Sequence, residues 1–149
     1  METKSFTQHG ILMYFIFIPL IIINLYLFVE ASANPGGQTK YYAILSLLFL
    51  LCLACFNKIT ITITKTTLSF SMGVGLIKKT YPMSDIQSCT PVKNNIMNGW
   101  GIRRILGGWL YNVSGFQAIE LRFKNENKII RIGTNKPEEV VTEVKKFIR

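Results

Sequence analysis

Two long apolar runs dominate the first 56 residues of the chain. The first run extends from Ile11 to Val29 and is apolar at 17 of 19 positions, the exceptions being Pro19 and Asn24. At about 1.5 Å per residue, a helix of this length crosses a hydrocarbon core of roughly 30 Å. The second run, from Tyr41 to Phe56, is apolar at 15 of 16 positions and is broken only by Ser46. The pattern therefore predicts two transmembrane helices.

The segment between the runs predicts a tight connection. It holds an Asn-Pro-Gly-Gly sequence at residues 34–37, through which neither helix can continue. Residues 11–56 are therefore expected to form a transmembrane helical hairpin, preceded by a leader at residues 1–10.

A secretory signal peptide is the alternative interpretation of the first run. Residues Ala31, Ser32 and Ala33 fit the small-x-small pattern of a signal-peptidase site. Two features argue against cleavage: the apolar stretch is long for a signal core, and Lys4 is the only basic side chain in the leader besides His9. The remaining span would still anchor the rest of the chain on the inner side.

Beyond Phe56 the pattern changes from continuous to alternating. Ile and Thr alternate from Ile59 to Thr64, which is typical of a half-buried strand. Similar short alternations recur, and Glu120 within one of them is expected to face solvent. The pattern predicts seven strands, at Lys58–Thr64, Leu68–Met72, Leu76–Tyr81, Ile86–Val92, Trp109–Val113, Ile119–Phe123 and Ile130–Ile132.

The last segment predicts an amphipathic helix. Pro137, Glu138 and Glu139 are suited to its first turn, and basic residues follow in its last turn, which is the charge order that a helix dipole favours. Its apolar stripe consists of Val140, Val141, Val144, Phe147 and Ile148. We therefore expect a membrane-anchored α+β chain, in which residues 57–149 form a small antiparallel barrel capped by a C-terminal helix.

The net charge of +9 lies entirely beyond the two runs. The first 56 residues are neutral, whereas the last 93 carry 15 Lys and Arg against 6 Asp and Glu. Because basic residues accumulate on the cytoplasmic side of a span, this excess predicts an integral protein of the cytoplasmic membrane. Both termini and the barrel would be cytoplasmic.

The candidate chemistry is sparse. His9 and Asp85 are the only His and Asp, so no Ser-His-Asp, Cys-His or paired-carboxylate site is expected. Cys52 and Cys55 have C-x-x-C spacing but no second pair or His to complete a zinc site. The sequence therefore predicts no catalytic residue, cofactor or metal. No motif of a known nucleic-acid binder is present either.

Four motifs resemble the bacterial membrane-anchored PH-like (pleckstrin-homology-like) domain proteins that carry two N-terminal transmembrane helices. They are G-W-G-I-R at Gly99–Arg103, W-L-Y-N-V-S-G-F at Trp109–Phe116, A-I-E-L at Ala118–Leu121 and I-G-T-x-x-P-E at Ile132–Glu138. The resemblance covers residues 11–148 and implies a PH-like fold for the seven strands. The phosphoinositide site of eukaryotic PH domains does not carry over, because the first two strands are joined by Lys65 and Thr66 alone.

Two functions remain open at this point. The domain is expected to be a non-enzymatic interaction module that binds a protein partner or a second copy of itself. Alternatively, it senses anionic lipid or organises the membrane through a basic face close to the bilayer, although those charges also fit an ordinary solvated surface. The candidate lipid-contact residues are Lys58, Lys78, Lys79, Arg103 and Arg104.

Overall fold

The computed structural model describes residues 3–34 and 38–148, and the two predicted apolar helices are present in it. Helix α1 spans Ile11–Ser32 and helix α2 spans Thr39–Phe56, and the two pack against each other. Both are long and apolar enough to cross a membrane. In the most apolar stretch of α1 only 11% of the residues are buried, and in that of α2 none is, unlike the core helix of a soluble protein. The predicted Pro-Gly-Gly turn lies outside the described residues.

A polar contact joins the two apolar helices. The Asn24 amide is buried and donates hydrogen bonds to Ser46 Oγ at 2.5 Å and to the Tyr42 carbonyl oxygen at 2.8 Å. Polar side chains of this kind bind helices together where no water competes for their hydrogen bonds. Asn24 and Ser46, the two polar residues that interrupt the apolar runs, are therefore hydrogen-bonded to each other.

The remaining elements form two sheets, so the predicted seven-stranded antiparallel barrel is wrong. The described residues contain nine strands and no closed barrel. The first sheet has the order β1-β2-β3-β4, and the second has the order β5-β8-β9-β7-β6, in which β7 and β9 run parallel. The strands are β1 Lys4–His9, β2 Lys58–Ile63, β3 Thr67–Met72, β4 Ile77–Pro82, β5 Ile86–Lys93, β6 Gly101–Ile105, β7 Gly108–Asn112, β8 Gln117–Phe123 and β9 Ile129–Gly133.

Strand β1 lies in the leader, where no strand was predicted. It pairs antiparallel with β2 along all six residues, with Phe6 opposite Ile61 and His9 opposite Lys58. Phe6 and Gln8 are its only buried residues, so its apolar pattern is too short to recognise. The segments before α1 and after α2 therefore belong to one sheet.

Strand β6 is the second strand that the pattern missed. Its Gly-Ile-Arg-Arg-Ile sequence has no buried position, because it forms an edge and pairs only with β7. An edge strand that is exposed on both faces shows no alternation of apolar and polar residues.

The core lies where the two sheets meet. One continuous cluster joins Ile59, Ile61 and Ile63 of β2 to Leu121 of β8 and Ile132 of β9, all nearly inaccessible to solvent. Cys89 on β5 is also buried in it, as expected, and burial raises the pKa of its thiol to about 12.

The C-terminal helix is present as the charge and apolar patterns predict. Helix α3 spans Pro137–Lys145 and packs against β5 and β8 of the second sheet. Val140 and Val144 are fully buried and Val141 almost so. Two single 3₁₀ turns, Met83–Asp85 and Ile96–Asn98, complete the described structure.

Candidate lipid-contact site at the base of the sheets

The ends of the helices meet the sheets at one edge. Because β1 runs into α1 and α2 runs into β2, the paired residues His9 and Lys58 lie at the helix ends. The Gly10 N–H donates to the Asn57 carbonyl oxygen at 2.7 Å. This hydrogen bond joins the β1–α1 connection to the α2–β2 connection. We call this edge the base of the sheets.

The turn between β3 and β4 is also part of the base. The Val74 N–H donates to the carbonyl oxygen of Ala54, within α2, at 3.1 Å, and the Gly73 N–H donates to the Lys58 carbonyl oxygen at 2.7 Å. Gly73 has a φ of +58°, and a Cβ there would overlap the Ala54 carbonyl oxygen, so both the conformation and the close approach require glycine. The side chains of Val74 and Leu76 in this turn remain 66% and 65% exposed.

Three of the five predicted lipid-contact residues lie on the first sheet. Lys58 is the first residue of β2 and lies at the base itself. Lys78 and Lys79 follow Ile77, the first residue of β4, and both are exposed. Neighbouring strand residues point to opposite faces, so these two lysines do not share a face: Lys79 Nζ lies 5.2 Å from the centre of the Tyr111 ring.

The other two lie on β6 of the second sheet. This strand begins at the base, where Gly101 lies beside the Phe56 ring. Arg103 and Arg104 are its third and fourth residues, both exposed and on opposite faces. The structure thus distributes the five basic residues over both sheets and does not gather them in one cluster. Arg104, which is paired with Trp109, lies toward the end of β6 away from the base.

Among the described residues, some of the other basic side chains are held in ion pairs, whereas the five are not, a property that they share with Lys65, Lys93, Lys124 and Lys145. Lys4, Arg122, Arg131 and Lys146 form ion pairs with the buried Glu120 or with Glu143. None of the five forms an ion pair within residues 3–34 and 38–148, so their positive charges stay available to an external anion. The same residues contain no group of three His, Cys, Asp or Glu that could hold a metal ion.

Glu120 does not face solvent as the pattern predicted. It lies on the face of β8 opposite to the core residues Ile119 and Leu121, but Arg122 Nε and Arg131 Nε donate to its two oxygens at 3.0 and 2.9 Å and cover it. Burial alone would raise the pKa of Glu120, but the hydrogen bonds from Arg131 and Arg122 outweigh it and lower the pKa. This ion-paired carboxylate is therefore structural and does not belong to the base.

A groove that was not predicted from the sequence lies where α1 and α2 meet the second sheet. Its volume is about 520 Å³. Arg103 Nε donates to the Trp100 carbonyl oxygen at 3.3 Å at one side of it, and the Trp100 ring lies 6.0 Å from the Phe116 ring. We call it the junction groove; it is lined by Met13, Ile16, Phe17, Phe56 and Gly99–Arg103.

A local signal for this groove was present in the sequence. Trp and Arg are the side chains that proteins place at a membrane–water interface, and Trp100 stands three residues before Arg103. The helix residues on the opposite wall are separated from them by more than 40 positions, and only the fold shows that they are neighbours.

Comparisons with known proteins do not assign this chain to a family: no family model matches it, and no curated protein is significantly similar to it. The likeness to membrane-anchored PH-like proteins stays a prediction from the sequence motifs.

Proposed function

We propose that this chain is a non-enzymatic integral membrane protein whose two-sheet domain lies against the cytoplasmic leaflet and contacts anionic lipid through the base of the sheets. The observation that carries the proposal is the hydrogen bond from Val74 to Ala54. Ala54 belongs to an apolar helix long enough to span a bilayer, so a turn bonded to it lies at the level of the membrane surface.

The side chains at the base suit that position. Val74 and Leu76 are apolar and exposed, so they would be poorly placed in water but well placed among lipid headgroups and upper acyl chains. Lys58, the first residue of β2, comes only two residues after the end of α2. A membrane surface potential acts within a Debye length of about 8 Å, and each cation that it reaches contributes on the order of 1 kcal/mol.

The net charge and strand β1 support the proposed orientation. The basic excess beyond α2 favours the cytoplasm for the sheets. The pairing of β1 with β2 requires both ends of the hairpin to be on the same side, as an even number of crossings does. Cleavage after Ala33 would remove β1, so the pairing supports an uncleaved chain. We propose a PH-like relationship for the two sheets and α3 on the sequence motifs.

The test measures contact between the base and lipid in the full chain. Cys52, Cys55 and Cys89 are replaced, and a fluorophore is attached at Val74→Cys or, as the control, at Leu106→Cys, which lies at the opposite end of β6 from Gly101. The protein is reconstituted in vesicles that carry a nitroxide quencher on either an anionic or a neutral lipid. We expect quenching at position 74 only, and stronger quenching by the anionic lipid.

Changing the five basic residues to Gln, or adding salt, should remove the preference for the anionic lipid while quenching at position 74 persists. Equal quenching by both lipids in the unchanged protein would contradict the lipid function. Quenching at position 106 as strong as that at position 74 would contradict the proposed placement of the base.

A second candidate function, binding of a protein partner or a second copy of the chain, is favoured by a different surface. Leu106 is 97% exposed and Trp109 is 41% exposed at the β6–β7 hairpin. This surface lies toward the end of the hairpin away from the base, where lipid contact does not explain it, and β6 beside it is an unpaired sheet edge. Absence of any lipid preference in the quenching test would make this candidate the stronger one.

A further inference from the structure

We propose that the junction groove is a binding site for one anionic phospholipid, with an acyl chain against its helix wall and the phosphate at Arg103. The inference deepens the proposed function and rests on α1 and α2 lying in a bilayer. It differs from general contact at the base because it assigns a discrete site and a single basic residue.

The helix wall of the groove is apolar and lies at the right depth. Met13, Ile16 and Phe17 occupy the first two turns of α1, and Phe56 is the last residue of α2. From Met13 to Phe17 the wall descends about 6 Å along α1, at 1.5 Å per residue. A phospholipid beside these helices therefore has its upper acyl chain next to this wall and its phosphate next to the loop at Gly99.

The opposite wall ends in a positive charge. Arg103 uses Nε to bond the Trp100 carbonyl oxygen, and its terminal nitrogens have no hydrogen-bond partner among the described residues. They lie over Gly99, where a Cβ would be 3.6 Å from one of them. A guanidinium held by one nitrogen presents its remaining N–H groups to a phosphate, which it binds through two parallel hydrogen bonds.

The charge of the groove and its position between the helices and the sheets both favour an anionic phospholipid as the ligand. No acidic residue lines the groove, so a phosphate there meets no repulsion. The volume of about 520 Å³ lies within the range of sites that hold small ligands, roughly 300–1,000 Å³. Because the groove opens at the boundary between apolar helices and polar sheets, a molecule with one apolar end and one anionic end fits it better than a soluble anion or a peptide does.

The test uses matched variants of the full chain in detergent and native mass spectrometry with two added lipids, phosphatidylglycerol and phosphatidylcholine of the same acyl chains. We expect one phosphatidylglycerol bound per chain and weaker binding of phosphatidylcholine. Arg103→Gln should weaken phosphatidylglycerol binding about tenfold, since it removes charge-assisted hydrogen bonds. Lys65→Gln is the control, because it removes the same charge from the exposed turn between β2 and β3, outside both the groove and the base.

A second pair of variants tests the acyl-chain wall. Ile16→Trp fills the groove with an apolar side chain and should abolish binding of both lipids. Ile18→Trp places the same ring on α1 outside the groove, at a residue of similar exposure, 45% against 42%, and should bind like the unchanged protein. Melting temperatures of all four variants report whether each is folded.

Three results would overturn the site. Equal losses for Arg103→Gln and Lys65→Gln would indicate a diffuse charge effect, and equal binding by Ile16→Trp and Ile18→Trp would exclude the helix wall. Displacement of the bound lipid by inorganic phosphate would show that the acyl chain contributes nothing. The comparison of anionic with neutral lipid by quenching at position 74 is first made with Arg103 and Ile16 both present, so the proposed function can stand while this site fails.

Discussion

At the scale of single residues, Glu120 links three parts of the second sheet. Its oxygens accept from Arg122 on β8 and Arg131 on β9, and Arg131 Nη1 also donates to Asn94 Oδ1 at 3.4 Å. Asn94 begins the loop that leads to Trp100 and the junction groove. The buried carboxylate therefore helps to hold that loop against the sheet.

The lowered pKa of Glu120 predicts a pH-dependent contribution to stability. A carboxylate whose pKa is lower in the folded state stabilises the fold above its unfolded pKa of about 4.5, and this stability is lost as the pH falls through the folded pKa. Glu120→Gln should therefore lower the free energy of unfolding by roughly 1–3 kcal/mol at neutral pH, and the deficit should shrink in acid. Unfolding monitored by tryptophan fluorescence over a pH series measures it.

Glu126→Gln is the matched control, because Glu126 is paired with Lys128 on an exposed turn, where ion pairs contribute little. This variant should follow the unchanged protein at every pH. A Glu120→Gln protein as stable as the unchanged one at neutral pH would show that the two arginines do not need the carboxylate.

At the scale of elements, α3 depends on a single buried face. Val144 is fully buried against the second sheet, and a carboxylate at that position would have no partner in the core. Domains of this size are stable by only about 5–15 kcal/mol, so Val144→Asp should unfold the two-sheet domain. Thr142→Asp, on the exposed face of the same helix, is the control and should remain folded.

The reactivity of the Cys89 thiol reports whether the domain remains folded in the α3 variants. Burial and a pKa raised to about 12 make its thiol unreactive at neutral pH in the folded domain. With Cys52 and Cys55 replaced by Ser, a thiol reagent should modify Val144→Asp quickly and the Thr142→Asp control slowly. Slow modification of both variants would mean that α3 does not hold the sheets together.

Strand β1 affects how such experiments are designed. It covers the outer edge of β2, whose Ile and Thr side chains alternate from Ile59 onward. A protein cut at residue 57 would leave that edge unpaired, and an unpaired strand of this composition readily pairs with other chains. For this reason the tests above use the full chain.

At the scale of the whole molecule, the pairing of β1 with β2 predicts the topology. With both ends of the hairpin on one side of the membrane, we expect the α1–α2 connection to lie on the other side. In a protein without native cysteines, an impermeant thiol reagent should label Gln38→Cys in intact cells and Asn125→Cys only after the cells are opened. Labelling of position 125 from outside intact cells would contradict the proposed orientation.

The sequence alone determined the elements whose pattern is local. The two apolar runs predict α1 and α2 because crossing a hydrocarbon core requires continuous apolar residues, whatever the rest of the chain does. Strict alternation in β2 and the single apolar face of α3 are equally local, since each element buries one face against a core. The absence of a pattern in β1 and β6 left both strands unrecognised.

Only the tertiary structure decided which elements became neighbours. Nothing in the sequence places Asn24 opposite Ser46 or β7 parallel to β9. The same holds for the junction groove, whose walls come from α1, α2 and the loop before β6. These contacts join residues far apart in the chain, and their formation depends on the packing of complete sheets and helices, which no local pattern of apolar and polar residues encodes.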